Sequence, residues 1–202
     1  MHLKKTSGVI ALALAAAFSQ AVTFSNIVYS FPPLSTDADH EAIGNSISFT
    51  TPNAIVGDAS PLTNGTLNIQ YNADAGALLL SIGAVVSLGA PTLGSGTVQF
   101  TETVWELDPI NNVTVGAPIG TISHLFDSST GSFFSGTISL NRSVQYVRVL
   151  KSFELNAPDT AALDLAAVAI VNQSINTAPV PEPATLAVLG LGAALVAKRR
   201  RK

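Results

Sequence analysis

The stretch TVQFTETVWEL, residues 97–107, decides the fold class because it is a long β-like run without a turn residue. Gly94, Ser95 and Gly96 precede it, and the sequence DPINN at 108–112 follows it. Thr, Val and aromatic residues are enriched in strands, whereas Gly, Pro, Asn and Asp are typical of turns. The stretch therefore predicts a strand with a turn on either side.

Similar runs divided by turn residues fill the chain on both sides of this strand. Asn64-Gly65 predicts a tight turn, and we expect further turns at 72–76 and at 141–143, the last of them in a hairpin. The apolar run 77–88 favours a strand, with a short buried helix as the alternative, and a helical turn near 160–167 stays open. The other predicted strands are 22–31, 46–50, 66–71, 113–115, 119–126, 133–140, 144–155 and 163–175.

Eight to ten strands without a long amphipathic helix predict an all-β fold. The regular spacing of the turn signals is typical of a single antiparallel β-sandwich, which we expect to be jelly-roll-like. The chain contains no Cys, so neither disulfides nor a cysteine nucleophile are available. The domain therefore has to be stabilised by its core alone.

The charge is distributed very unevenly. The whole chain of 202 residues has a net charge of −3, but seven of its ten Lys and Arg lie at the two ends. Residues 22–183 contain three Lys and Arg against thirteen Asp and Glu, a net charge of −10. Phosphate backbones repel such a domain, which excludes nucleic acid as a partner. The acidity suits solubility outside the cell, or divalent cations as partners.

The N-terminus has the three parts of a secretory signal peptide. Lys4 and Lys5 precede an apolar segment at 9–18. The small residues Ser19 and Ala21 then occupy the third and the first position before a cleavage site between Ala21 and Val22. We therefore assign residues 1–21 to a signal peptide that is removed during export, and exclude them from the fold.

The C-terminus also combines three parts. Val180, Pro181, Glu182 and Pro183 form a proline-rich motif, in which the missing backbone donors disfavour helix and central strand. Residues 184–197 then carry no charge. The chain ends on five cations that stay on the cytoplasmic side of a membrane, namely Lys198, Arg199, Arg200, Arg201 and Lys202.

This order of motif, apolar segment and basic end resembles the PEP-CTERM sorting signal of bacterial surface proteins, over about the last 24 residues. The resemblance implies recognition by an exosortase, an integral-membrane transpeptidase, and association with exopolysaccharide, biofilm or floc. The 14 apolar residues span about 21 Å as a helix, short of a hydrocarbon core of about 30 Å. Snorkelling of the terminal cations helps such a helix to remain in the bilayer.

Together these features predict five segments. Residues 1–21 are the signal peptide, 22–171 the β-sandwich domain, 172–183 a linker with the sorting motif, 184–197 a transmembrane helix and 198–202 a basic cytoplasmic tail. We expect an exported protein that is transiently anchored in the inner membrane and then reaches the cell surface or the extracellular space.

The densest acidic cluster is DADHE at 37–41. Asp37, Asp39 and Glu41 offer oxygen ligands of the kind that Ca²⁺ prefers, but their spacing is not that of a known calcium loop. We expect a solvated acidic loop and no cofactor, with Ca²⁺ as the alternative.

Residues for catalysis are few. His40 and His124 are the only histidines of the mature domain and lie in no nucleophile motif. Glu102 and Glu106 stand four apart in one strand, which predicts exposed acids on the same face rather than a glycosidase pair. The sequence therefore predicts that the protein is not an enzyme.

The mature domain is expected to be structural or adhesive. A carbohydrate-binding, lectin-like module is the alternative and a secreted hydrolase the third possibility. Asn-x-Ser/Thr sequences predict surface positions at Asn64, Asn112, Asn141 and Asn172. An aromatic sugar platform would draw on Trp105, Tyr29, Tyr71, Tyr146, Phe133 and Phe134.

Overall fold

The computed structural model describes residues 21–58, 60–89, 92–158 and 163–177. Strands hold 75% of these residues and form one antiparallel sheet, so the predicted all-β class is confirmed. One short helix, α1, follows the first strand. The elements are β1 (Thr23–Ser30), α1 (Pro32–Ser35), β2 (Asp39–Ile43), β3 (Ser46–Gly57), β4 (Asn64–Ser87), β5 (Thr97–Asp108), β6 (Val113–Phe126), β7 (Phe133–Asn156) and β8 (Leu165–Thr177).

The strands are hydrogen-bonded in the order β2-β3-β8-β4-β7-β5-β6, and β1 pairs with β4. The expected jelly-roll-like sandwich would consist of two separate sheets, whereas the hydrogen bonds here run through a single sheet. The reason is the length of β4 and β7, which have 24 residues each and pair along nearly their whole length. Register shifts between Asp74 and Leu79 divide this long pairing into two parts.

The two long strands connect two half-sheets whose inner faces meet. The first half-sheet consists of β1, the start of β4, the end of β7, β5 and β6; the second consists of β2, β3, β8, the end of β4 and the start of β7. Phe49 and Tyr71 lie on opposite half-sheets with ring centroids 5.5 Å apart, and Phe100 and Phe134 do so at 5.9 Å. The sheet therefore folds over on itself and encloses one core.

Alternation of side chains fills this core. In β4 the inward residues are Leu67, Ile69, Tyr71 and Ala73, and in β7 they are Val147, Val149, Lys151, Phe153 and Leu155. Each fully buried Val, Leu, Ile or Phe stabilises the fold by about 1.5–3 kcal/mol through removal of apolar surface from water. Such a core explains how the domain can dispense with disulfides.

Several predicted turns lie within strands. Asn64-Gly65 begins β4, residues 72–76 lie inside β4, and residues 141–143 lie inside β7 instead of joining a hairpin. The two runs 113–115 and 119–126 form one strand, β6. The turn predictions were wrong at 64–65 and 72–74 because β7 supplies pairing partners that local turn propensity does not anticipate. Residues 141–143 lie where the pairing of β4 with β7 shifts register without ending the strand. Gly76, with φ +63°, marks the register shift within β4.

The end of the domain also differs from its prediction. β8 continues to Thr177, six residues into the predicted linker 172–183, because Gln173 and Ile175 are buried and pair with β3 and β4. Val22, the predicted first mature residue, is buried, and its N–H donates to Asn45 Oδ1 at 3.3 Å; Ala21 is exposed.

Several predicted features lie outside the described residues. They are the signal peptide up to residue 20, the possible helical turn at 160–162, the sorting motif, the apolar segment 184–197 and the basic tail. Within the described ranges, no helix has both the length and the apolar character needed to cross a membrane.

Candidate functional site

A groove of about 290 Å³ lies on the outer face of the second half-sheet. Two neighbouring rows of side chains line it, and each row crosses four strands in the order β2, β3, β8, β4. The sheet register places the members of each row side by side. The first row is Glu41, Ser48, Asn172 and Val85, and the second is Ile43, Ser46, Ser174 and Gly83.

Gly83 deepens the groove because it leaves a gap in the second row. A Cβ atom at this position would overlap the hydroxyl oxygen of Ser174, so a side chain there would require the Ser174 hydroxyl to move. Around this gap the lining combines apolar side chains, such as Ile43 and Val85, with Ser hydroxyls, the Asn172 amide and a single carboxylate, that of Glu41, but no cation. This chemistry suits a neutral ligand that is rich in hydroxyl groups.

The three acids of the predicted cation site do not converge. Asp37 Oδ2 accepts a hydrogen bond from Asn53 Nδ2 at 3.0 Å, and Asp39 Oδ1 accepts one from the His40 N–H at 2.8 Å. Glu41 lies in edge strand β2, which replaces part of the expected acidic loop. No group of three or more metal-binding side chains is found among the described residues. Calcium binding stays a prediction.

A buried ion pair is the main feature that sequence reasoning missed. Glu102 and Lys151 are opposite each other in β5 and β7, both are fully buried, and Lys151 Nζ donates a hydrogen bond to Glu102 Oε2. The prediction that Glu102 is exposed was therefore wrong. The available signal was its position in a run whose inward face is otherwise apolar, with Val98, Phe100 and Val104.

Glu106 does not share the environment of Glu102. It is half-exposed and forms an ion pair with Arg142, with 2.6 Å between Oε2 and Nη2. The pairing of β5 with β6 shifts register between Val104 and Glu106. The regular alternation stops there, so two acids four residues apart do not face the same surroundings.

The surroundings of the buried pair are aromatic. Lys151 Nζ lies 5.7 Å from the centroid of the Phe100 ring. Burial lowers the pKa of the Lys151 amine, and the charge and hydrogen bond of Glu102 oppose this effect. Burial also raises the pKa of the Tyr71 hydroxyl, and the Glu102 charge raises it further. Within the described chain, the Tyr71 hydroxyl and Glu102 Oε1 are buried without a hydrogen-bond partner.

The remaining cations of the described chain are also engaged. Arg142 binds Glu106, while Arg148 donates to Asn72 Oδ1 at 3.0 Å and to Asn112 Oδ1 at 2.6 Å. Since Lys151 is buried, no Lys or Arg of the described ranges offers an unengaged charge to solvent. The expectation that the domain does not bind nucleic acid stays a prediction.

The two histidines do not assemble a catalytic triad. His40 Nδ1 lies 3.3 Å from the Tyr29 hydroxyl, and the His124 ring stacks on Phe134 with centroids 4.5 Å apart. In the part of the chain that the structure describes, neither ring is hydrogen-bonded to a Ser hydroxyl or a carboxylate.

The aromatic candidates do not share one surface. Tyr71 is fully buried, and Tyr29 and Phe134 pack against the core, while Phe133 is exposed. Trp105 and Tyr146 remain as partly buried residues on the outer face of the first half-sheet, in adjacent strands. The surface positions predicted from the four Asn-x-Ser/Thr sequences are confirmed, because Asn64, Asn112, Asn141 and Asn172 are all exposed.

Comparison with known proteins identifies the C-terminal signal. Residues 179–202 match the PEP-CTERM protein-sorting motif, which confirms the resemblance found in the sequence. The match implies export and a membrane-anchored sorting signal of the kind that exosortases recognise. The motif itself lies outside the described residues.

The comparisons add little about the β-domain. No curated protein matches the chain. Among solved structures, it is similar to the crystal structure of the enzymatically active domain of bacteriophage CBA120 tailspike protein 4, with 11% identity and a TM-score of 0.34. That similarity covers 77% of this chain but only 19% of the tailspike chain.

Proposed function

We propose that this protein is a non-enzymatic structural or adhesive component of an extracellular polysaccharide matrix. An exosortase-type enzyme processes it at or near residues 180–183, after a transient stay in the inner membrane, and releases the β-domain to the cell surface or the medium. The match to the sorting motif at 179–202 supports this route of export and processing. The β-domain supplies the mature function.

The groove on the second half-sheet carries the adhesive part of the proposal. Ser46, Ser48, Asn172 and Ser174 present hydroxyl and amide groups on neighbouring strands, which lie about 4.8 Å apart in a sheet. Neutral polysaccharides offer hydroxyl groups in dense arrays, so direct and water-mediated hydrogen bonds can form along the groove. Each contact is weak, but many copies in one matrix bind with high avidity.

Retention on the matrix polysaccharide of the native host tests this function. Asn172→Leu removes a central amide of the groove and is expected to weaken binding about tenfold, which corresponds to one or two hydrogen bonds. Ser123→Leu is the matched control, because Ser123 is also an exposed polar residue of a strand but lies in β6, away from the groove. Equal retention of both variants would exclude the groove as the binding surface.

A carbohydrate-binding module that uses aromatic stacking is the second candidate. Trp105 and Tyr146 favour it, because they share the outer face of the first half-sheet. In that case Trp105→Ala abolishes retention while Asn172→Leu has no effect. A hydrolase is tested separately by turnover of a panel of glycans and esters, for which we expect no product.

A further inference from the structure

We propose that Lys151 and Glu102 react to form an isopeptide bond, an amide between their side chains that covalently joins β7 to β5. The inference rests on the buried pair and is independent of the proposed matrix function. Such a bond would make the pair a modification site built into the fold.

The geometry brings the two reacting groups together. Glu102 and Lys151 are cross-strand neighbours in the ladder of β5 and β7, although they stand 49 residues apart in the chain. Both side chains point inward, and neither exposes any surface to solvent. Well-oriented intramolecular reactions reach effective concentrations of about 10⁵–10⁸ M, so holding the amine beside the carboxyl group favours their reaction.

The low polarity of the site favours the neutral forms that react. A buried ion pair loses the hydration of both charges, and the attraction between them often does not recover this free energy. Moving one proton from Lys151 Nζ to Glu102 gives a neutral amine and a neutral carboxylic acid without changing the net charge. Burial lowers the pKa of the Lys151 amine, which agrees with this direction of proton transfer.

The reaction balances without an added reagent. The lone pair of Lys151 Nζ attacks the Glu102 carboxyl carbon and forms a C–N bond. A proton moves from the nitrogen to the carboxyl hydroxyl, the C–O bond breaks and one water molecule leaves. The Tyr71 hydroxyl is buried without a partner in the described chain, and the charge of Glu102 contributes to its raised pKa, so we assign it as the donor to the developing oxyanion.

The bond would serve a protein that has no disulfide. The chain contains no Cys, and an amide, unlike a disulfide, resists reduction. A cross-link between positions 49 residues apart restricts the unfolded chain in the manner of a disulfide. It would tie the central strand β7 to β5 in the first half-sheet, where β7 provides much of the core.

The intact mass of the processed full-length gene product, measured after denaturation, tests the proposal. We expect a mass one water molecule below that of the amino-acid sequence between the observed termini. Trypsin does not cleave after an acylated lysine, so the peptide Val149-Leu150-Lys151 should be missing from a digest of the denatured protein. A mass equal to the sequence, with this peptide present, would overturn the proposal.

Lys151→Arg is the matched control. It preserves a cation opposite Glu102, but a guanidinium stays protonated and does not act as the nucleophile. The variant should therefore show the full sequence mass. A missing water in this variant too would place the dehydration elsewhere and contradict the proposal. If the variant does not fold, the mass and digest of the natural chain still decide the question.

Tyr71→Phe tests the role of the hydroxyl, because it preserves both reacting groups and the aromatic ring. We expect slower loss of water, seen shortly after synthesis as a mixture of two masses that converges with time. Conversion as fast as in the natural chain would remove Tyr71 from the reaction.

Discussion

At the scale of single residues, Gly57 shows how closely two chain segments approach. Its φ of +100° is strained for other residues, and an added Cβ would overlap the backbone carbonyl of Asp164. Gly57→Ala is therefore expected to lower the free energy of unfolding by at least about 2 kcal/mol. Gly44→Ala is the control, because Gly44 has φ +59° but nothing within 4 Å of the new Cβ, and it should cost only about 1 kcal/mol. Urea unfolding of both variants measures the difference, and equal midpoints would contradict the close approach.

The environment of Tyr29 predicts that the free energy of unfolding depends on pH in the alkaline range. Burial, aided by the charge of Asp39, raises the pKa of the Tyr29 hydroxyl to about 12. Since the pKa of Tyr in the unfolded chain is about 10, its contribution to stability is fully present below pH 10 and is lost as the pH rises towards 12. Urea unfolding between these pH values should therefore show a shallower decline for Tyr29→Phe than for the natural chain. Parallel declines would mean that Tyr29 is not shielded from water.

The buried pair of Glu102 and Lys151 shows what the sequence alone predicts about single residues and what it does not. Alternation in β5 already places Glu102 on the same face as Phe100 and Val104, and in β7 it places Lys151 with Val149 and Phe153. The prediction failed because acids are almost always exposed unless they are paired. Finding the partner requires the register between β5 and β7, which neither strand encodes by itself.

At the scale of elements, β8 gives a sharp test of the domain boundary. A chain that stops after Val171, the boundary predicted from sequence, loses Ile175 from the core and the pairing of 172–177 with β3 and β4. We expect it to melt at least several degrees lower than a chain that stops after Thr177. The longer chain is the control, since it retains all of β8. Equal melting temperatures of the two chains would support residue 171 as the end of the domain.

The strands differ in how well the sequence predicted them. β1, β5 and β8 follow from apolar alternation between turn residues, to within a few residues at either end. β4 and β7 do not, because β4 begins at the predicted turn Asn64-Gly65, where β7 pairs with it, and β7 continues through Asn141-Arg142, where the pairing with β4 shifts register. The groove was likewise unpredictable, since its two rows exist only once β2, β3, β8 and β4 are in register.

At the scale of the whole molecule, the proposed processing at both ends would change the charge as well as the length. Removal of residues 1–21 and of everything after 183 converts a chain of net charge −3 into one of −10. The described cations are already engaged in internal contacts, so the processed protein presents mainly acids to solvent. We expect later elution from an anion-exchange column than for the unprocessed chain, and no retention on DNA.

The intact mass of protein recovered from the surface and medium of the native host tests the processing directly. We expect a chain that begins at Val22 and ends within 180–183, because the N-terminal signal and the match at 179–202 both imply removal of their segments. Replacing Pro181, Glu182 and Pro183 by Ala should leave the chain ending at Lys202 in the membrane fraction. Thr177→Ala, which lies upstream of the matched residues 179–202, is the control and should be processed normally. A natural chain that still ends at Lys202 would make the C-terminal segment a lasting anchor, and the β-domain would then act while tethered to the membrane.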